Sequence, residues 1–286
     1  MPYGSPDEIG VIQLAWLGDS VWELHQRLRH VHFPMKSKEL HLSVVNEVKA
    51  MSQSKSLSQI EHLLNGKEIE SFNCKGKFIW INLNDVVIFN TLGMTGNWSR
   101  RKTDHSRIAI NFYENDTVYF NDVRNFGTFQ IKSRQELLKK IKSLGPDMLS
   151  KPPNSADFLS ILRKKNNKDI CSVLMNQNVI SGVGNYIKAE SLWYSKINPH
   201  ALIKNLTDEN LETLRKAILF VINKSYEGQG ASIKDYYTFD EEEGTATSGF
   251  VVYGKSKDYN GHNVIKEQTL DKRTTHWVKE RQIIGV

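Results

Sequence analysis

Apolar positions in the first part of the chain recur three and four residues apart. Over residues 8–62 the first stripe consists of Ile9, Ile12, Trp16, Leu17, Val21, Leu24 and Leu28. Pro34 interrupts this stripe, and a second one follows at Leu40, Val44, Val45 and Val48. Because such spacing puts apolar side chains on one helix face, it predicts an α-helical N-terminal segment over residues 1–65.

The pattern changes near residue 66 from helical spacing to short runs of strand-forming residues. Turns rich in Asn, Asp and Gly separate the runs, which cover residues 77–83, 86–89, 106–113, 117–120 and 126–131. Several short strands joined by such turns are typical of a β-sandwich or a barrel. We therefore predict a β-sandwich domain over residues 66–132.

A helical block over residues 133–226 follows the strands. Ser133 and Glu136 have the spacing of a capping box, which predicts the start of a helix. Ser155 is a candidate cap for the next helix. Thr207 precedes an amphipathic helix whose apolar stripe is Leu211, Leu214, Ile218, Val221 and Ile222.

The last part of the chain divides into a polar loop and a strand-like end. Residues 227–249 include a Gly-Gln-Gly stretch and a run of four acidic residues, and loops of this length are usually functional or disordered. In residues 250–286, the Asn260-Gly261 pair lies between two strand-like runs and predicts a β-hairpin.

Composition limits what the chain can be. The 286 residues are 24% charged and 39% hydrophobic, and no apolar run reaches the ~18 residues of a membrane span. Two cysteines, Cys74 and Cys171, cannot staple a secreted fold, and the N-terminus lacks the order of a signal peptide. We therefore expect a cytoplasmic or nucleoid-associated protein. The net charge of +6, with an isoelectric point near 9.1, permits a polyanionic partner.

The first chemically specific signal is the sequence Gly182-Val183-Gly184-Asn185 between two helical patterns. The two glycines allow another backbone to approach closely, and Asn185 opens a helix whose free N–H groups suit a phosphate. The same residues would also form a tight turn with Asn185 as the helix cap. The four residues alone leave both interpretations open.

The whole of residues 176–200, NQNVISGVGNYIKAESLWYSKINPH, resembles the helix–two-turn–helix element of the formamidopyrimidine-DNA glycosylase and endonuclease VIII family. The resemblance extends from about residue 66 to about residue 280. It is carried by four further motifs, at residues 75–78 (KGKF), 92–96 (LGMTG), 122–127 (DVRNFG) and 272–275 (KRTT). It implies an α+β fold with a β-sandwich, a helical DNA-binding domain and a C-terminal β-hairpin finger.

The resemblance also implies residues that grip the DNA backbone. A base cannot be cut while it is stacked, so its nucleotide must be extruded and held by contacts to the strained backbone. Lys77, Asn185 and Arg273 match the family's phosphate contacts, and Lys77 lies near the lesion, so it is placed with the catalytic residues. Glu190 matches an acidic residue on the helix after the two turns.

Three further residues match the family's gap-filling groups. Met94 would enter the duplex where the damaged base has left, and Phe126 would wedge the stack. Arg124 would face the orphaned base. An apolar plug and a hydrogen-bond donor are what such a gap requires.

The finger departs from the form that closes around zinc, because residues 250–286 contain no cysteine. Its histidines, His262 and His276, are too few to bind zinc. The segment therefore resembles the zincless finger found in part of the family, and we predict no metal site and no cofactor. Packing is expected from Val251, Tyr253, Val264, Ile265, Trp277 and Val278.

The N-terminus matches the family only in part. In the family, the proline after Met1 uses its secondary amine to attack the sugar C1′ and form a Schiff base. Pro2 occupies this position, so the resemblance makes it the catalytic nucleophile. Tyr3 replaces the glutamate that follows, and tyrosine is a poor substitute for a carboxyl group near neutral pH.

Residues 8–63 resemble instead the opening of mini-ribonuclease III, through the run LAWLGDSVWEL. In that family the aspartate of the LGD motif binds catalytic Mg²⁺, and Asp19 takes its place with Glu23 one helical turn later. The two carboxylates would equally suit a solvated helix edge. The chain thus resembles the front of one family joined to most of another.

These features predict a monomeric DNA glycosylase and AP lyase that excises oxidised bases from double-stranded damaged DNA and has no membrane partner. If Pro2 does not reach the site, the protein would bind damaged DNA without cutting it. A second alternative is a ribonuclease III-like fragment that cuts double-stranded RNA, and only in this case would Mg²⁺ be a cofactor, bound at Asp19.

Overall fold

The computed structural model describes residues 40–43 (backbone only), 64–93, 95–112, 117–227 and 249–285. The architecture is α+β, as predicted: two antiparallel sheets are followed by a group of helices and a two-stranded finger. Within these ranges, no helix combines the length and the hydrophobicity that crossing a lipid bilayer requires.

Two four-stranded antiparallel sheets face each other and enclose a shared core. Strands are numbered in chain order. The first sheet consists, in spatial order, of β2 (Ile69–Lys75), β3 (Phe78–Leu83), β4 (Val87–Thr91) and β8 (Thr128–Lys132). The second consists of β1 (Leu40–Ser43), β6 (Ser106–Phe112), β7 (Thr117–Asp122) and β5 (Gly96–Ser99). The predicted β-sandwich is present.

Strand β3 is buried on both faces, which explains its nearly continuous apolar sequence. Ile79 and Ile81 lie in the core between the two sheets. Phe78 and Trp80 alternate with them and pack on the opposite face against helix α1 (Arg134–Ser143). The first sheet therefore has no solvated face at this strand, and α1 is fixed on its outer side.

Strand β1 corrects the prediction of a helix beginning at Leu40. It pairs antiparallel with β6, with Leu40 opposite Phe112 and Ser43 opposite Ala109. Its sequence, LHLS, alternates apolar and polar residues, but the three-and-four spacing of the wider segment obscured this period of two. Pairing with β6 also covers an otherwise open strand edge, an effect that local spacing does not reveal.

The helical block begins as predicted. The capping box is present at α1: Ser133 N donates to Glu136 Oε2 at 2.9 Å, and Glu136 N donates to Ser133 Oγ at 3.2 Å. The cap of the next helix is Asn154, whose Oδ1 accepts from Asp157 N at 2.9 Å, so the prediction of Ser155 is wrong by one residue. Asparagine at least equals serine as a cap, and here it precedes the serine.

The remaining helices build one apolar core. They are α2 (Ser155–Arg163), α3 (Ile170–Met175), α4 (Asn185–Tyr194), a short 3₁₀ turn (Ile203–Asn205) and α5 (Asp208–Glu227). Thr207 Oγ1 accepts from Asn210 N at 3.1 Å and caps α5. The predicted stripe of α5 is buried throughout, which confirms that prediction.

The finger is a hairpin of β9 (Ile265–Gln268) and β10 (Thr274–Trp277). The turn at Asn260-Gly261 exists, but it closes a single bridge between Lys257 and Asn263 rather than a two-stranded ladder. The Asp258 carboxylate accepts two backbone amides inside this turn, each at 2.9 Å, and so stabilises it without strands. The predicted hairpin therefore lies further along the chain.

The finger is attached to the helical block at both of its ends. At its start, Glu190 of α4 accepts the backbone amides of residues 251–253 at 2.9, 2.9 and 2.8 Å. After β10 the chain returns to the segment that follows α4. There Ile284 N donates to Lys196 O at 3.2 Å, and Asn198 N donates to Ile284 O at 3.0 Å.

Candidate nucleic-acid interface

Five predicted site residues lie in the described part of the chain: Lys77, Arg124, Phe126, Asn185 and Arg273. They come from the β-sandwich, the α3–α4 turn and the finger. The other predicted residues lie outside the described residues, and their roles stay predictions; they are Pro2, Asp19, Glu23 and Met94.

A buried carboxylate organises the loop that carries Arg124 and Phe126. Asp122, at the end of β7, is fully buried. Its Oδ1 accepts hydrogen bonds from Thr95 Oγ1 at 2.6 Å and from Arg124 N at 3.2 Å. Its Oδ2 accepts from Gly127 N at 2.7 Å. The loop is therefore held at both of its ends and attached to the turn that contains Thr95.

Arg124 and Phe126 project from this loop on the surface of the sandwich. Phe126 is 60% exposed, and the Arg124 guanidinium lies 4.9 Å from the centre of its ring. Together they offer a stacking surface and hydrogen-bond donors, which suit a gap in a base stack. Gly93, which precedes Met94 in sequence, packs so closely that an added Cβ would lie 3.0 Å from the carbonyl carbon of Phe126. The turn that carries Met94 thus adjoins this loop.

Lys77 follows a tight turn that the helical block holds in place. Gly76 N donates to Asp147 Oδ2 at 2.7 Å, and Asp147 is almost fully buried. Its Oδ1 also accepts from Leu149 N at 2.9 Å and from Ser150 N at 3.3 Å. Burial raises the pKa of Asp147, although these hydrogen bonds oppose the shift. Asp147 was not identified from the sequence. The available signal was its position directly after Gly145-Pro146, a pair that ends a helix.

The β2–β3 turn also touches the α3–α4 turn directly. Gly76 has φ +58°, and a Cβ at this position would lie 2.7 Å from both Gly182 N and Ser181 Cβ. Only glycine fits such a contact without displacement. The close backbone approach predicted for Gly182 is therefore present. It places the turns that carry Lys77 and Asn185 side by side.

Asn185 connects the start of α4 to the finger. The residue that caps α4 is Gly184, so the interpretation of Asn185 as the helix cap is wrong. Asn185 Nδ2 donates to Thr274 O at 2.9 Å, and its Oδ1 is buried without a hydrogen-bond partner among the described residues. Arg273, adjacent to Thr274, is exposed. The backbone amides that open α4 therefore lie beside the finger tip, the turn between β9 and β10.

Two buried charges on α4 face the finger. Burial raises the pKa of Glu190, while its bonds to three finger amides work in the opposite direction. Lys188 is completely buried, and its Nζ donates to Asp271 Oδ2 at 2.5 Å. Glu190 was singled out from the sequence. Lys188 was missed, because nothing in its neighbourhood along the chain indicates an acidic partner.

Each finger histidine contacts another side chain of the finger. His262 Nδ1 lies 3.3 Å from Asp258 Oδ2, and the His276 ring lies 4.8 Å from the Tyr253 ring. Burial and the nearby Lys266 lower the pKa of His276. Among the residues that the structure describes, no three His, Cys, Asp or Glu side chains form a group suited to a metal ion.

Two family models match the chain and define its class. The model described as the formamidopyrimidine-DNA glycosylase H2TH domain matches residues 144–236, which include the α3–α4 turn. The model described as the formamidopyrimidine-DNA glycosylase N-terminal domain matches residues 16–129. The chain is therefore of the helix–two-turn–helix (H2TH) class, with the N-terminal domain that accompanies it.

Curated relatives give the family. A formamidopyrimidine-DNA glycosylase of Wolbachia pipientis is 32% identical over 204 residues, which cover 68% of this chain and 74% of the relative. One from Bacillus licheniformis is 27% identical over 231 residues, or 78% of this chain and 84% of the relative. The chain belongs to the formamidopyrimidine-DNA glycosylase family, as the sequence motifs predicted.

Solved structures share the fold. A Lactococcus lactis FPG variant in complex with a Fapy-dG containing DNA matches with a TM-score of 0.79 and 22% identity, covering 93% of this chain and 98% of that one. The MutM (FPG) protein from Thermus thermophilus matches with a TM-score of 0.77 and 23% identity, covering 94% and 99%. The predicted α+β architecture is confirmed.

These comparisons also bear on the N-terminal segment. The N-terminal-domain match begins at residue 16, so it includes most of residues 1–65. Strand β1, within the same segment, is part of the sandwich. The resemblance of residues 8–63 to mini-ribonuclease III is not confirmed by any of these findings and stays a prediction.

Proposed function

We propose that this protein is a bifunctional DNA glycosylase and AP lyase that removes oxidised bases from double-stranded DNA as a monomer. One observation carries the proposal. The segment that carries Asn185 directly contacts both the turn before Lys77 and the finger segment that carries Arg273, although the three residues are distant in sequence. Membership of a family whose relatives are named formamidopyrimidine-DNA glycosylases supports the glycosylase activity.

The three segments would clamp the DNA backbone around an extruded nucleotide. Lys77 and Arg273 supply cations, and the N-terminus of α4 supplies backbone amides with a favourable helix dipole. Such contacts fix the position of the duplex without reading its sequence. Because the β2–β3 turn abuts the α3–α4 turn, the cation and the amides would act on neighbouring phosphates.

The loop after β7 would occupy the gap that the extruded base leaves. Phe126 would stack on the exposed base pair, and Arg124 would donate hydrogen bonds to the orphaned base. Met94, in the adjoining turn, would fill the remaining space. Stacking and donation together would offset part of the free energy needed to unstack the damaged base.

The chemistry is assigned to Pro2. After removal of Met1, its secondary amine would attack C1′ of the sugar, displace the base and lose its proton. Cleavage of the C1′–O4′ bond, with a proton added to O4′, would then open the sugar ring and leave an iminium between proline and C1′. Strand cleavage by elimination would follow from the same intermediate. No metal takes part in this scheme, so EDTA is expected to leave base excision and strand cleavage unchanged.

Borohydride trapping tests the assignment. The intact protein is incubated with a duplex that contains one abasic site, and borohydride reduces the iminium to a stable amine. We expect a covalent protein–DNA adduct. A matched variant with an uncleaved residue ahead of Pro2 has no free amine there and is expected to give none. Mass spectrometry of the N-terminus establishes beforehand that Met1 is removed.

Each other outcome identifies an alternative. An adduct that persists in the extended variant would show that another amine is the nucleophile. Absence of an adduct, together with binding that is lost in Asn185→Ala, would identify a protein that binds damaged DNA without cutting it. Magnesium-dependent cleavage of double-stranded RNA that is lost in Asp19→Asn would identify the ribonuclease.

A further inference from the structure

The finger tip is joined to α4 by an ion pair that protein encloses on all sides. Lys188 Nζ lies 2.5 Å from Asp271 Oδ2, and the two side chains are 0% and 3% exposed. Asp271 Oδ1 accepts a hydrogen bond from Thr269 Oγ1, which also lies 2.7 Å from Thr275 Oγ1. The pair therefore belongs to a buried polar cluster that extends across the base of the tip.

Helix α4 holds the tip on both sides of Arg273. Asn185 lies one helical turn before Lys188, and its Nδ2 donates to Thr274 O at 2.9 Å. One face of α4 thus holds the residues at positions 271 and 274. The Arg273 amide itself faces Asp271 Oδ1 at 3.4 Å. The backbone that leads to the exposed Arg273 side chain is tied to α4 through the ion pair.

The backbone of the tip needs such support. Lys272, between Asp271 and Arg273, has φ 61°, in the left-handed region that non-glycine residues rarely adopt. A residue in this conformation stays there only when the surrounding contacts impose it. The bonds to Asp271 and Thr274 lie immediately before and shortly after this residue, so they are placed to impose it.

A buried ion pair fixes the positions of its two side chains more than it raises the free energy of unfolding. Desolvation of two charges costs free energy that their mutual attraction largely offsets but seldom exceeds. Neither charge can move away, however, without leaving the other unpaired inside the protein. Burial alone would raise the pKa of Asp271, but the hydrogen bonds from Lys188 and Thr269 outweigh it and hold the pKa below its ordinary value. Asp271 is therefore charged at neutral pH.

We propose that Lys188 and Asp271 are positioning residues whose buried pair fixes the finger tip so that Arg273 is presented to the DNA backbone. The inference rests on the proposed function, since it requires Arg273 to bind DNA. Because both side chains are buried, neither would touch the DNA. A finger without cysteines thereby obtains a fixed tip from the helix that also begins with Asn185.

A double-mutant cycle on the full-length protein tests this proposal. Binding to a duplex with a stable abasic-site analogue is measured at one fixed salt concentration, because phosphate contacts depend on salt. In the wild type, Arg273→Ala is expected to weaken binding on the order of tenfold. In the background Lys188→Met with Asp271→Leu, which removes both charges and leaves neither unpaired, the same change is expected to cost less than about threefold.

A second ion pair in the helical block provides the matched control. Arg163 and Asp208 pair at 2.5 Å between α2 and α5, and their side chains are 30% and 69% exposed. Arg163→Met with Asp208→Leu removes the same two charges, and Arg273→Ala is expected to keep its full effect there. Lys188→Arg retains a cation beside Asp271. In this background Arg273→Ala is expected to weaken binding more than it does in the background that lacks both charges. Thermal unfolding verifies that every variant is folded during the binding measurement.

The proposal has clear ways to fail. An equal loss from Arg273→Ala with and without the buried pair would show that the pair does not position this arginine. If Arg273→Ala in the otherwise wild-type protein leaves the affinity for the duplex unchanged, Arg273 does not contact the DNA. If the wild type does not bind the duplex at all, the proposed function is wrong and this inference falls with it.

Discussion

Asp122 shows how one side chain determines the form of the candidate interface. Its buried carboxylate accepts three hydrogen bonds, and two of the donors are backbone amides of the loop that presents Arg124 and Phe126. An amide that loses a charged acceptor loses one of the stronger kinds of hydrogen bond. The exposed residues of the loop therefore depend on a residue that DNA would never touch.

Replacement of this carboxylate should be costly. Asp122→Ala is expected to lower the free energy of unfolding by about 2 to 4 kcal/mol, because it removes charged hydrogen bonds and leaves Gly127 N unsatisfied. Urea denaturation measures the change. Asp104→Ala removes an exposed acidic side chain of the same domain and is expected to cost less than about 0.5 kcal/mol. Equal effects of the two substitutions would contradict the role assigned to Asp122.

At this scale the sequence motifs indicate candidate contact residues but not the buried residues that support them. Arg124, Asn185 and Arg273 stand in motifs that can be read along the chain. Lys188 pairs with Asp271, 83 residues away, and Asp147 binds the amide of Gly76, 71 residues away. No spacing rule detects a contact at such a separation, because it depends on how whole elements pack.

Among the elements, those with signals inside their own sequence were predicted well. Helix α1 begins where Ser133 and Glu136 indicated, and the stripe of α5 is buried as expected. Strand β1 was mistaken for a helix, because its pairing with β6 lies outside the segment. The finger hairpin was placed at the Asn260-Gly261 turn, where Asp258 rather than a strand partner binds the backbone amides.

The start of α1 should carry a pH dependence of its own. Hydrogen bonds from the Ser133 backbone, from Lys132 and from the Ser133 hydroxyl lower the pKa of Glu136 from 4.5 to about 2. A carboxyl with a depressed folded pKa stabilises the protein above its ordinary pKa, and this contribution is lost as the pH falls from 4.5 towards about 2. The effect is modest, since the side chain is exposed to solvent.

Glu136→Gln tests this dependence. The variant is expected to unfold at a lower temperature than the wild type near pH 6, and the difference between the two should shrink at about pH 3. Thermal unfolding followed by circular dichroism gives both values. A difference that is the same at the two pH values would mean that the charge of Glu136 contributes nothing to the capping box.

At the scale of the whole molecule, the candidate interface depends on the junction between the sandwich and the helical block, which several contacts around Gly76 form. Gly76 meets Gly182 and Ser181, and Asp147 binds the amide of the same glycine. Lys75, in the same turn, donates to the carbonyl groups of Ile141 and Leu144 near the end of α1. The relative position of Lys77 and Asn185 follows from this junction.

A methyl group at the junction should separate its two sides. Gly76→Ala is expected to destabilise the protein by about 2 to 4 kcal/mol, from the strain of a positive φ together with the clash against Gly182. It should also weaken binding to abasic DNA. Gly66→Ala is the matched control, since Gly66 has φ +72° and open space where a Cβ would lie. It isolates the backbone strain, at about 1 to 2 kcal/mol. Equal losses from the two variants would contradict a tight junction.

The attachment of the finger at both of its ends has a practical consequence. With Glu190 binding residues 251–253 and Ile284 paired to the segment after α4, the finger is a closed loop rather than a free arm. The entropy of closing such a loop rises only slowly with its length, so extra residues at the exposed Asn260-Gly261 turn should cost little beyond any hydrogen bonds to Asp258 that they displace. That turn is therefore a suitable place for a fluorescent label or a short insertion that leaves both attachments in place.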